Sequence, residues 1–302
     1  MKLVTFEQAE AYKLGVKTDL GILDVEQAQA ALFTDGQAGV PTDVHEVIEG
    51  GTAAIASLQA LVDRASASEG ASYWLDEAKL QLGPCVTRPN KIICVGLNYR
   101  KHAEETNAPI PQYPILFNKF NNTLAAQGDD IPLPKVTSEV DYEAELVIVI
   151  GQTAKYVSKE DALSHVFGYC CVNDLSARDL QMRTQQWLLG KSCDKFSPLG
   201  PYLVSADEVG NPNQLEIKAT VNGEVRQNSN TSDMIFHCDE IVSYISHHMT
   251  LVPGDIILTG TPEGVVLGLP PEQRVYLQDG DIVTIEIEKL GALTNRMVAE
   301  TA

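Results

Sequence analysis

The run Asp141-Tyr142-Glu143-Ala144-Glu145-Leu146-Val147-Ile148-Val149-Ile150-Gly151 carries both architecture and chemistry. Its second half is an unbroken aliphatic, β-branched stretch closed by Gly, which predicts a buried strand. Strand side chains alternate faces, so Asp141, Glu143 and Glu145 are expected on one face. Like charges so close repel, and burying them unpaired is costly. A cation removes both problems. Asp174 ends a second apolar run, His165 to Val172, also read as a strand. If the two strand ends meet, Glu143, Glu145 and Asp174 present three hard oxygen ligands. That set suits Mg²⁺ or Mn²⁺, with Ca²⁺ as a substitute. The alternative is a wet edge strand carrying solvated carboxylates.

Upstream, residues 1–84 read as a small N-terminal α+β domain. It opens with strands at Lys2–Phe6 and Leu14–Leu23. Helical text follows at Val25–Phe33 and Ala53–Arg64, then a loop over Ala65–Ser72. Residues 85–302 read as a catalytic domain rich in short strands. These are Lys91–Val95, Glu145–Ile150, Val166–Val172, Leu215–Val221, Ile256–Leu258 and Asp281–Ile287. Asn222-Gly223 marks a hairpin. Helices are expected around Tyr99–Thr106, Lys159–Ser164, Leu175–Gln186 and Ile235–His248. The fold class is therefore α+β, with a mixed β-roll or barrel-like catalytic domain.

The 302 residues carry a formal net charge of −19, from 22 basic and 41 acidic side chains. So acidic a chain argues against nucleic acid or an anionic membrane as partner. Its six cysteines show no Cys-x-x-Cys spacing and read as reduced thiols of a cytoplasmic protein. No signal-peptide core or membrane-spanning stretch is apparent.

Three further clusters carry chemistry. In Gly96-Leu97-Asn98-Tyr99-Arg100-Lys101-His102-Ala103-Glu104-Glu105, a helix would bring His102 and Glu105 to one face. A carboxylate-held His is a candidate general base, although an isolated pair of this kind is more often just solvated. Arg178 and Gln181 follow Asp174 on an expected helix, positioned for a bound anion. Lys191, in Gly190-Lys191-Ser192, suits an enolate or carboxylate oxygen, and the Thr259-Gly260-Thr261-Pro262 loop offers N–H groups and the Thr261 hydroxyl.

Together these segments, over roughly residues 85 to 298, resemble the fumarylacetoacetate hydrolase family. The resemblance also rests on Val172-Asn173-Asp174-Leu175-Ser176-Ala177-Arg178, Asn222-Gly223-Glu224 with Gln227, and Ser232-Asp233-Met234-Ile235-Phe236. It implies a β-roll domain, usually a homodimer, using Mg²⁺ or Mn²⁺. Glu143, Glu145 and Asp174 match its metal ligands, His102 its base and Glu105 the acidic partner. Arg178, Gln181, Lys191 and Thr261 match substrate-contacting positions, and Lys119 matches a family lysine. Phe120 follows Lys119 where the family usually has Pro or Ser.

The resemblance implies a small anionic 2-oxo acid substrate. The first expectation is hydrolysis of a C–C bond in a β-diketo acid of the acylpyruvate or fumarylacetoacetate type. His102 would activate the water and Lys191 stabilise the enolate. The alternatives are oxaloacetate decarboxylation and isomerisation of an unsaturated 2-oxo acid of the 5-carboxymethyl-2-hydroxymuconate type. A metal-stabilised binding protein is the reading from a different class.

Overall fold

A computed structural model describes residues 1–33, 39–67 and 70–301. Part of the expected Ala65–Ser72 loop, residues 68 and 69, lies outside that range. The strand predicted downstream of Glu143 is present as Ala144–Ile150, and all seven of its residues are buried. It pairs antiparallel with Val166–Asn173 on one side and with Ile256–Leu258 on the other. These three strands lie within an 11-stranded mixed sheet. The sheet continues through Ile92–Gly96 to Ile115–Lys119 in one direction. In the other it runs through Ser197–Ser205 to the N-terminal strands Lys2–Gln8, Ala11–Thr18, Gly21–Asp24 and Trp74–Leu75. A second, five-stranded sheet orders Glu224–Asn230, Glu216–Val221, Ile282–Ile287, Gly291–Ala299 and Asp130–Leu133. The architecture is the expected α+β arrangement of mixed sheets. Among the described residues neither sheet closes, so the barrel-like expectation becomes two open sheets.

Alternation along Ala144–Ile150 explains why the strand is apolar on both faces. Leu146, Ile148 and Ile150 pack with Ile217, Ile285 and Leu293 of the second sheet and with Ile241 and Ile245 of the helix Cys238–His248. Val147 and Val149 pack on the opposite side with Val47, Ile48, Leu58 and Leu61 of the N-terminal helix Val44–Ala65. Burying each of the larger side chains contributes roughly 1.5–3 kcal/mol. A sheet covered on both faces needs the continuous hydrophobic text seen here.

Several local expectations change. Leu14–Leu23 is not one strand but a hairpin. The turn at Asp19-Leu20 reverses the chain, and Thr18 pairs with Gly21, whose φ of 122° suits glycine. Leu175–Gln186 is not one helix. Ser176–Ala177 pairs with Val140–Asp141, and only Arg178–Gln181 forms a helical turn, followed by a separate turn at Leu188–Lys191. Lys159–Ser164 yields a 3₁₀ turn at Ala162–His165. The strands Ile115–Lys119 and Ser197–Ser205 were not legible as strands. No helix among the described residues is long and apolar enough to cross a membrane.

Candidate active site

The expected single face of Asp141, Glu143 and Glu145 is broken. The chain leaves the sheet at Tyr142 and Glu143, between strands Val140–Asp141 and Ala144–Ile150. Side chains replace strand partners there. The Glu143 N–H donates to Asn173 Oδ1 (3.0 Å) and the Ala144 N–H to Gln227 Oε1 (2.9 Å). Antiparallel pairing of Ala144 with Asn173 sets Glu143 and Glu145 beside Asp174. Ligand oxygens of Glu143, Glu145 and Asp174 all lie within 4.8 Å of one another, and all three residues are buried. Asp141 is turned away. Its carboxylate pairs with Arg178 Nε (2.9 Å) and accepts the Val266 and Leu267 N–H groups (3.0 Å each).

Two lysines and an arginine hold this cluster. Lys191 Nζ bridges Glu143 Oε2 (2.6 Å) and Asp174 Oδ2 (2.8 Å). Lys119 Nζ pairs with Asp174 Oδ1 and donates to the Phe196 carbonyl (2.6 Å). Arg178 Nη2 pairs with Glu143 Oε1 at 2.8 Å, buried within the cluster. Burial raises the Glu143 carboxyl, but Lys191 and Arg178 outweigh it and pull it down to about 2. Burial lowers the Lys191 ammonium, yet Asp174 and Glu143 leave it net raised.

Glu145 differs. It accepts the Gly260 N–H (2.8 Å), and no ion pair among the described residues includes it. Burial, then Asp174 and Glu143, push its carboxyl well above the usual range. Three oxygens converging on one point, one of them without a cation, are a donor set that fits a hard divalent ion.

The cluster opens on a cavity of about 560 Å³. His102 lies on its wall and Glu105 beside it, on the short helix Arg100–Glu105. His102 Nδ1 is 2.8 Å from Glu105 Oε1, and Glu105 Oε2 accepts the Gly264 N–H (2.9 Å). That contact assigns the proton to Nδ1 and leaves Nε2 free to accept one. Leu97, also on the wall, adopts a left-handed backbone (φ 52°), a strain that clusters at functional sites. Asn98, fully buried, anchors the start of this segment by donating to the Thr259 and Phe236 carbonyls. Gly260 has φ 96°, and a Cβ there would meet Asn98 Cβ at 2.7 Å, so only glycine fits.

Of the residues singled out from the sequence, His102, Glu105, Glu143, Glu145, Arg178, Gln181, Lys191 and Thr261 all border the cavity. Asp174 and Lys119 do not; Asp174 sits beneath the wall with Lys119 behind it, both side chains fully buried. Gln181 Oε1 accepts from Arg178 Nη1 (2.9 Å), which frees its amide N–H₂ to donate. Thr261 Oγ1 accepts from Gln227 Nε2 (2.9 Å), which frees its own proton likewise. Trp187, Phe117, Leu267 and Arg274 were missed as wall residues. Aromatic and aliphatic side chains give no local signal of lining a site rather than a core.

Residues 91–298 match the family model described as fumarylacetoacetate (FAA) hydrolase C-terminal. Across 305 aligned residues the chain is 40% identical to a mitochondrial oxaloacetate tautomerase of Xenopus laevis, covering 99% of this chain and 90% of that protein. A mitochondrial oxaloacetate tautomerase of Bos taurus is 50% identical over 216 residues, 70% of this chain and 68% of that one. Among solved structures, fumarylacetoacetate hydrolase from Exiguobacterium antarcticum superposes with a TM-score of 0.79 at 34% identity, covering 99% and 100% of the two chains. Maleylpyruvate hydrolase from Sphingobium sp., in complex with manganese(II) and pyruvate, does so at 0.78 and 31%, covering all of both chains. The chain belongs to the fumarylacetoacetate hydrolase family and is a metal-dependent enzyme of that kind.

Proposed function

We propose that this enzyme moves a proton on an enolisable 2-oxo dicarboxylic acid, interconverting the keto and enol forms of oxaloacetate. The observation that carries this reading is a carboxylate-held imidazole, His102–Glu105, on the wall of the cavity that also reaches Glu143 and Glu145 of the three-carboxylate cluster. The near full-length likeness to the Xenopus tautomerase supports the substrate. The order of the sequence expectations thus reverses, with oxaloacetate ahead of an acylpyruvate and proton transfer ahead of bond cleavage.

Glu143, Glu145 and Asp174 would hold Mg²⁺ or Mn²⁺. Such an ion, when bound, supplies Lewis-acid polarisation of the 2-oxo acid. His102 Nε2 takes a proton from the carbon beside the carbonyl and returns it to the carbonyl oxygen. Glu105 keeps the imidazole in the accepting tautomer and stabilises its charged form. The Gln181 amide and the Thr261 hydroxyl donate to carboxylate and carbonyl oxygens, and the Arg178 guanidinium on the cavity wall adds positive charge beside them. Lys191 offsets negative charge as the enol forms. Lys119 orients Asp174 rather than touching substrate. A homodimer and a cytoplasmic location belong to the same proposal.

C–C hydrolysis is the second reading. The same His102–Glu105 pair suits a water molecule, and the maleylpyruvate hydrolase likeness favours it. Metal-stripped protein given Mg²⁺ or Mn²⁺ separates the two. Enol-oxaloacetate absorbance should decay faster with metal, with no pyruvate formed. Pyruvate from acetylpyruvate at a higher kcat/KM would replace tautomerisation with hydrolysis. Pyruvate from oxaloacetate would indicate decarboxylation.

A further inference from the structure

The cavity, about 560 Å³, is larger than a four-carbon acid needs, and the cations that line it differ in their partners. Beside the carboxylate cluster both lining cations already face carboxylates: Lys191 touches Glu143 and Asp174, and Arg178 touches Asp141 and Glu143. Leu267, Leu269, Pro270 and Trp187 form an apolar stretch of wall. Arg274 also lines the cavity, just beyond the 3₁₀ turn Pro271–Gln273. We infer that Arg274 is a second-carboxylate subsite, binding the carboxylate remote from the 2-oxo acid end of a dicarboxylic substrate.

Three observations support it. Arg274 Nε donates to the Leu269 carbonyl (2.8 Å), which orients the guanidinium and leaves its terminal N–H groups without a carboxylate. The Tyr276 hydroxyl, a neutral group, also faces it. No ion pair among the described residues engages Arg274 with an acid, in a chain whose formal charge is −19. An unpaired guanidinium inside a cavity of so acidic a protein is a local anion trap, and its planar fork matches a carboxylate. Pro270 and Pro271 restrict the backbone before it, so less freedom is lost on binding.

The inference rests on the proposed binding of a 2-oxo acid at the carboxylate cluster. The test is calorimetric titration of Mn²⁺-loaded protein with pyruvate, 2-oxoglutarate and 2-oxoadipate, comparing wild type, Arg274→Gln and Arg274→Lys. Wild type should bind at least one dicarboxylate roughly tenfold or more tighter than pyruvate. Arg274→Gln should erase that ratio while leaving pyruvate binding unchanged, and Arg274→Lys should restore part of it. An unchanged ratio in Arg274→Gln overturns the subsite, as does equal weakening of all three ligands. If wild type binds none of them, the proposed function falls together with the subsite. If the ratio behaves as expected but enol-oxaloacetate is not turned over, the subsite stands and the reaction alone is wrong.

Discussion

Asp255 and Glu145 are both buried carboxylates beside the central strand Ala144–Ile150, at its opposite ends. Asp255 is completed by the protein. It accepts the Lys91 and Val252 N–H groups (3.0 and 2.8 Å) and pairs with Lys91 Nζ (2.7 Å). Its backbone carbonyl also caps the strand by accepting the Ile150 N–H (2.9 Å). Glu145 receives one N–H and lies beside two more carboxylates. Equal burial with unequal satisfaction separates a structural acid from one awaiting a ligand. The comparison is therefore between a carboxylate that stabilises the fold and one that the fold holds for use.

Removing a member of the three-carboxylate cluster should have the largest effect. Asp174→Ala should lower metal-dependent kcat/KM by roughly a thousandfold, with Mn²⁺ binding weakened in spin-resonance titrations. Near-normal metal affinity would break the comparison at its functional end. Asp255→Ala should act in reverse. It should cost about 3 kcal/mol in urea denaturation by stranding Lys91 and two N–H groups, with Mn²⁺ affinity retained. His102→Gln should reduce kcat by at least roughly a hundredfold with Mn²⁺ affinity intact, because the base is not a ligand. Glu145→Leu sharpens the contrast. Activity should fall no further than in Asp174→Ala, while metal-free stability holds or rises by about 1 kcal/mol, because a buried acid without a cation is replaced by an apolar group.

The smallest effect belongs to His45, which packs beside Gly254 at the Asp255 end. It accepts the Arg88 N–H (3.1 Å) through Nε2 and is therefore neutral there. Burial, then the Arg88 charge, lower its pKa from the ordinary 6.5. The unfolded chain therefore binds the proton more readily than the folded one. The stabilisation is complete above pH 6.5 and is lost as pH falls through the lowered value. Denaturation midpoints between pH 7 and 5 should decline less in His45→Gln than in wild type. Equal slopes would remove His45 from the account.

The aliphatic run to Ile150 spells a buried strand because nothing but burial on both faces suits unbroken β-branched text. Three carboxylates near two strand ends, His102 three residues before Glu105, and Arg178 three before Gln181 were legible for the same reason: local spacing limits geometry. The break at Tyr142–Glu143 was not legible. It depends on Asn173 and Gln227 substituting for strand partners, and Gln227 comes from the other sheet. Strand alternation puts Asp141 on the face of Glu143 and Glu145, but Val266 and Leu267, far along the chain, turn it toward Arg178.

Residue type, charge and short-range periodicity thus determined the three central strands, the three-carboxylate set and the family. Only the tertiary structure decided which acids remain unsatisfied, that Lys119 stands behind Asp174, and that Arg274 lines the cavity. Burial and pairing depend on what other segments bring to the same point. Local text limits which side chains are available, while folding decides which of them find partners.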